Sequence, residues 1–179
     1  ENGYTFTNSH TPETINIEGT KTWNDANDQD GKRPGKITVN LLADGDIYAT
    51  KKVTEADGWK YNFTDLPKYK NGNKITYTIT EDAVEGYQTL VNGYDITNSY
   101  TPGKTSVSVT KTWDDADNQD GKRARNIKVR LLADGNVVAD SEVNLSDANN
   151  WSHTWSDLDI NKNGSPIEYT VEEITSVEG

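Results

Sequence analysis

The sequence predicts an all-β protein made of two tandem repeats, each a small β-sandwich. Three observations carry that prediction. The chain matches itself: Lys21-Thr22-Trp23, followed by Gln29-Asp30-Gly31-Lys32-Arg33, recurs as Lys111-Thr112-Trp113, followed by Gln119-Asp120-Gly121-Lys122-Arg123, an offset of 111 − 21 = 90 residues. Thr, Val, Ile, Tyr and Trp alternate with polar residues over short runs, and no stretch keeps a helical period. Those runs end at Asx-Gly pairs such as Asp44-Gly45, Asp57-Gly58, Asn71-Gly72, Asn92-Gly93, Asp134-Gly135 and Asn163-Gly164, the dipeptides that turn one strand into the next.

Alignment of the chain with itself assigns the elements in order. An opening strand runs through Lys21 and again through Lys111. A second strand ends in Leu41-Leu42-Ala43-Asp44-Gly45, matched by Leu131-Leu132-Ala133-Asp134-Gly135. Trp59-Lys60-Tyr61-Asn62-Phe63 matches Trp151-Ser152-His153-Thr154-Trp155, and Ile75-Thr76-Tyr77-Thr78-Ile79-Thr80-Glu81 matches Ile167-Glu168-Tyr169-Thr170-Val171-Glu172-Glu173. One match is displaced: residues 92–102, including Ile96-Thr97-Asn98-Ser99-Tyr100-Thr101-Pro102, match residues 2–12. We therefore expect residues 1–12 to be the closing strand of an absent upstream repeat, 13–102 a complete repeat, and 103–179 a repeat lacking its closing strand. With no initiator Met before Glu1, the chain is expected to be a piece of a longer protein.

Bulk properties narrow the function. A net charge of −11 argues against nucleic acid or an anionic membrane as partner. No apolar run approaches a membrane span, and no signal peptide is evident. Cysteine is absent and hydrophobic residues make up only 32%, so these small modules are expected to need some staple other than a disulfide.

Parity points to one. Alternate residues of a strand share a face. Ile15, Ile17, Lys21 and Trp23 are in phase, as are Val107, Val109, Lys111 and Trp113. Ile75, Tyr77, Ile79 and Glu81 share a face, and so do Ile167, Tyr169, Val171 and Glu173; in the closing strand Tyr94, Ile96, Asn98 and Tyr100 do. The complete repeat thus aims Lys21, Glu81 and Asn98 at its core. Such groups must be partnered, because burying an unpaired charge or amide costs several kcal/mol. One reading is a satisfied polar cluster. The other is a reaction: a desolvated amine is a nucleophile, a desolvated carboxylic acid can polarise the Asn carboxamide, and attack with loss of ammonia leaves a Lys–Asn isopeptide bond.

The segments Lys-Thr-Trp, Gln-Asp-Gly-Lys-Arg-Pro (29–34), Tyr-Thr-Ile-Thr-Glu (77–81) and Ile-Thr-Asn-Ser-Tyr-Thr-Pro (96–102) resemble the Cna B-type domain family, the repeats of staphylococcal collagen adhesin and related Gram-positive surface proteins. The resemblance spans essentially the whole chain. It implies an inverse immunoglobulin-like sandwich in each repeat, a place on the outside of a Gram-positive cell wall, and a stalk that holds a separate ligand-binding region away from the surface. It also implies an isopeptide bond between Lys21 and Asn98 with Glu81 as the assisting acid. In the second repeat the matching positions are Lys111 and Glu173, with no Asn, which Asn8 of a neighbouring copy is expected to supply through head-to-tail self-association.

Other motifs carry less. The acidic loop at Asp28-Gln29-Asp30-Gly31 fails the EF-hand pattern, since Ala26 and Ile37 fall where its first and last ligands belong, and is read as a solvated turn. No metal or cofactor site is expected. Trp59, Tyr61, Phe63, Trp151 and Trp155 are read as core rather than as a sugar-stacking strip, and His10 and His153 as packing residues. A turnover enzyme is the weakest reading, because the one reactive constellation is consumed by its own chemistry. The alternative to a spacer is a matrix- or carbohydrate-binding adhesin module.

Overall fold

A computed structural model describes residues 3–174, so Glu1, Asn2 and residues 175–179, the outer ends of the two incomplete segments expected above, lie outside the described residues. The chain divides into two compact units, residues 1–27 with 33–100 and residues 28–32 with 101–179.

The first unit holds β1 (Thr14–Asn24), β2 (Lys36–Ala43), β3 (Asp46–Thr54), β4 (Lys60–Pro67), β5 (Tyr69–Lys70), β6 (Asn73–Lys74), β7 (Tyr77–Glu81), β8 (Gln88–Asn92) and β9 (Asp95–Ser99). One sheet has the order β4-β1-β9-β8 and the other β3-β2-β7, with β5-β6 a short hairpin. Strand β1 runs antiparallel to β4, then parallel to β9 over Lys21–Asn24. The inward phases of the two sheets meet in a core of Ile17, Phe63 and Ile96 from one and Val39, Leu41 and Ile79 from the other. Hairpin turns fall at the Asx-Gly pairs: Asp44 and Gly45, like Asn71 and Gly72, take positive φ at both central positions, as a two-residue turn between right-twisted strands requires. Gly19 answers a different constraint. A Cβ there would lie 2.0 Å from the Tyr94 carbonyl oxygen and 2.6 Å from the Tyr61 ring, so only glycine lets β1 pass.

The second unit repeats the plan with β10 (Lys104–Thr110), β11 (Asn126–Ala133), β12 (Asn136–Val137), β13 (Val143–Ser146), β14 (Ser152–Asp159), β15 (Asn161–Lys162), β16 (Ser165–Pro166) and β17 (Tyr169–Glu173). Strand β10 pairs with β14, and β11 pairs with β12 and β13 on one side and β17 on the other. The single strand β3 has become two. The repeat offset grows from 131 − 41 = 90 to 151 − 59 = 92, so two residues are inserted here, and Ser141 is buried at the break, its hydroxyl bonded to the Val138 and Leu131 carbonyls. Among the described residues nothing corresponds to β8 and β9, and the fully buried apolar set shrinks to Ile127, Val129, Leu131 and Leu145.

The aromatic residues follow the packing reading. Tyr61 and Phe63 are buried and Trp59 meets Trp23 edge-on at 5.1 Å, although Trp59 and Trp151 stand in turns with positive φ rather than in the strands themselves. His153 packs against Trp155, but His10 is exposed, contrary to the packing role expected of it, because residues 3–12 form no strand. Tyr4 and Phe6 in that segment are 89% and 93% exposed.

A buried lysine, carboxyl and amide in the first unit

Three strands deliver the three polar side chains that parity selects. Lys21 enters from β1, where Gly19, Lys21 and Ile17 alternate with exposed neighbours. Glu81 is the last residue of β7 and comes from the opposite sheet. Asn98 lies on β9 between exposed or half-buried neighbours and is itself fully buried. The parallel register pairs Lys21 with Ile96 and Trp23 with Asn98, which sets Lys21 and Asn98 on adjacent strands two residues apart.

Lys21 Nζ stands 2.9 Å from Glu81 Oε1, and neither side chain has any solvent exposure. Burial pushes the lysine ammonium below its ordinary value of 10.5, and Glu81 alongside acts in the opposite direction. The Lys21 ammonium also lies 4.3 Å from the centre of the Trp23 ring. The Asn98 carboxamide meets no hydrogen-bond partner at either its oxygen or its nitrogen. Unpaired buried amides are rare because each costs about 1–3 kcal/mol, so this one calls for a chemical explanation.

The sequence reading missed a layer above this cluster. Asp25, which the sequence reading gave no role, is 2% exposed and takes a bidentate pair from Arg33 at 3.0 and 2.7 Å and a third bond from Tyr87 at 3.0 Å. The Arg33 guanidinium lies 5.5 Å from the Trp23 ring centre, on which Tyr87 also packs edge-on. Between the two partners Ala26, Asn27 and Asp28 all take left-handed φ, a strained turn that the ion pair holds closed. The acidic loop is thus not simply solvated: Asp30, in the second unit, is buried and accepts bonds from the Gly103 amide and the Asn161 carboxamide. The signal was available in the exact recurrence of Asp25 and Arg33 as Asp115 and Arg123.

In the second unit Lys111 Nζ lies 3.1 Å from Glu173 Oε2, but the two side chains keep 26% and 32% exposure. Trp113 lies under the Lys111 ammonium and Arg123 pairs with Asp115, so those parts repeat. What differs is the covering: no amide and no parallel strand flanks Lys111 among the described residues. Asn8 is exposed, in the segment without strand structure.

Comparison with known proteins agrees with this architecture. The family model described as Cna protein B-type domain matches residues 17–99 and 107–179. The chain is 55% identical over 173 residues to a collagen adhesin of Staphylococcus aureus, a match covering 97% of the chain and 14% of that protein's length. A solved structure of two B repeat units of the S. aureus collagen binding protein matches with 53% identity and a TM-score of 0.52, covering 96% of this chain and 46% of that one. A single B repeat unit of the same protein matches with 53% identity and a TM-score of 0.49, over 93% and 89% of the two chains.

Proposed function

Because the chain belongs to the Cna B-type domain family, we propose that it is part of the stalk of a Gram-positive surface adhesin, stapled by a Lys–Asn isopeptide bond formed without any other protein. The observation that carries this reading is the dry cluster of Lys21, Glu81 and the unpartnered Asn98 amide. Burial weakens the hold of the Lys21 ammonium on its proton, so Nζ can pass it to the adjacent Glu81 Oε1. The free amine then attacks Asn98 Cγ. The Cγ–Nζ bond forms, the Cγ–Nδ2 bond breaks, and the nitrogen leaves as ammonia with the proton that Glu81 gives it, while the second Nζ proton passes to Glu81, which ends as the neutral acid. One amide replaces one amine and one carboxamide, and the buried ionic charges are gone.

The product ties the first strand of the unit to the last. Force applied at the two ends of the unit then runs through a covalent bond between β1 and β9 rather than through the hydrogen bonds of the sheet. Such a module suits an extracellular array of neighbouring repeats, with host-matrix binding left to a separate region. The aromatic residues that would stack on a sugar are engaged in packing and the net charge is −11, which favours the spacer over a binding module. Intact mass tests the reaction: the folded chain is expected to be lighter than its sequence by one ammonia for the first unit, and the full sequence mass overturns it. Immobilised collagen tests the spacer role; saturable binding of this chain at micromolar concentration overturns that.

Among the described residues the second unit lacks the amide and counterparts of β8 and β9, and residues 3–12 match residues 93–102 in sequence. We extend the proposal to a head-to-tail assembly in which Tyr4 and Phe6 of one copy fill the open core of another and Asn8 meets its Lys111 and Glu173.

A further inference from the structure

We infer that Thr89 is a positioning residue for this bond-forming step, holding the Glu81 carboxyl so that its proton sits on the oxygen facing Lys21. The inference rests on the Lys21–Asn98 reading above. Its own basis is the division of labour between the two oxygens of Glu81. Oε1 faces Lys21 Nζ at 2.9 Å, while Oε2 accepts a hydrogen bond from the Thr89 hydroxyl at 2.9 Å. Glu81 reaches this point from β7 in one sheet, and Thr89 meets it from β8 in the other. Thr89 also stands directly opposite Asn98 in the antiparallel β8–β9 register, so the strand pairing that brings the amide brings the hydroxyl with it.

The chemistry depends on where the proton resides. When Nζ gives its proton to Glu81, the neutral acid has one C–OH and one C=O oxygen, and only the latter is purely an acceptor. A hydroxyl donating to Oε2 makes Oε2 the C=O oxygen and leaves the proton on Oε1. That oxygen faces the amine, so the proton is at hand for the nitrogen that departs as ammonia. Without Thr89 the acid is free to hold its proton on Oε2, away from the reacting pair, or to swing out of line. Thr89 touches neither the attacking nor the leaving nitrogen; its effect passes through Glu81.

The test follows ammonia loss in the full chain during cell-free synthesis, by intact mass at timed intervals, for the native sequence, Thr89→Val and Thr89→Ser. Valine keeps the shape and suits an exposed edge strand, so folding is retained. Loss of one hydrogen bond to a carboxyl group predicts that Thr89→Val slows bond formation about tenfold. Serine restores the hydroxyl and with it a rate near native. A Thr89→Val rate equal to native, or a Thr89→Ser rate as slow as Thr89→Val, overturns the inference while leaving the isopeptide reading intact. A native chain that never loses ammonia overturns both.

Discussion

Replacing Asn98 by alanine isolates the contribution of the proposed cross-link. The substitution removes the electrophile and leaves the Lys21–Glu81 pair in place. Its direct packing effects oppose each other. Deleting a fully buried side chain leaves a small void, whereas deleting an amide with no partner relieves a desolvation cost of about 1–3 kcal/mol. The loss of the bond therefore sets the outcome. The proposed bond closes a loop of 98 − 21 = 77 residues, which the loop-entropy model values at roughly 4.5 kcal/mol. For a domain of this size each kcal/mol moves the melting temperature by about 4–8 °C, so the transition of the first unit should fall by about 18–36 °C. Calorimetry of the full chain reads the shift, and intact mass reports whether the native chain carries the bond. A native chain one ammonia light whose first-unit transition is matched by Asn98→Ala to within a few degrees refutes the entropic argument, and a native chain of full mass refutes the bond.

Three further outcomes follow from the same geometry. In Asn98→Ala, Lys21 stays an amine whose folded value lies below 10.5; the unfolded chain then binds more protons between that value and 10.5, so stability should rise with pH across this window in urea titrations, and a flat profile refutes the buried-amine account. The Arg123 guanidinium holds the Asp115 carboxyl down at about 2 from 3.8, a stabilisation present above 3.8 and lost as pH falls toward 2; Asp115→Asn should remove that part of the acid-unfolding curve, and superimposable curves refute it. Head-to-tail assembly predicts a ladder of covalent oligomers on a denaturing gel that Asn8→Ala abolishes, and a lone monomer band with monomeric mass in native solution at high concentration sinks it.

The two-sheet plan and its turns were legible because a strand alternates with a period of two and an Asx-Gly pair marks a reversal. Lys21, Glu81 and Asn98 stood out for the same reason, as polar residues in an apolar phase. Thr89 did not, since a threonine on an edge strand is unremarkable until its hydrogen bond is seen. Asp25 and Arg33 were hidden because charged residues flanking a loop carry no strand parity that would mark them as buried. Their burial depends on Trp23 and Tyr87, which come from β1 and from the segment before β8 and meet only in the folded unit. The split of β3 into β12 and β13 follows from an insertion whose length the sequence shows but whose anchor, Ser141, it does not.

The two units separate the ingredients of reactivity. Each has the lysine, the carboxyl 2.9 or 3.1 Å away and the tryptophan beside the ammonium. Proximity of amine and acid is therefore not the variable. The first unit adds β8 and β9, and with them exposure of the pair falls from about a third or a quarter to zero. Solvent exposure at the second pair screens its charges, whereas the first pair is dry. In the proposed reaction, closure by the last strand thus does two things at once: it delivers the amide, and it dries the amine proposed to attack it. Under this proposal, cross-linking must therefore wait until the sandwich has closed, because the strand that supplies the amide is also the one that excludes solvent from the amine.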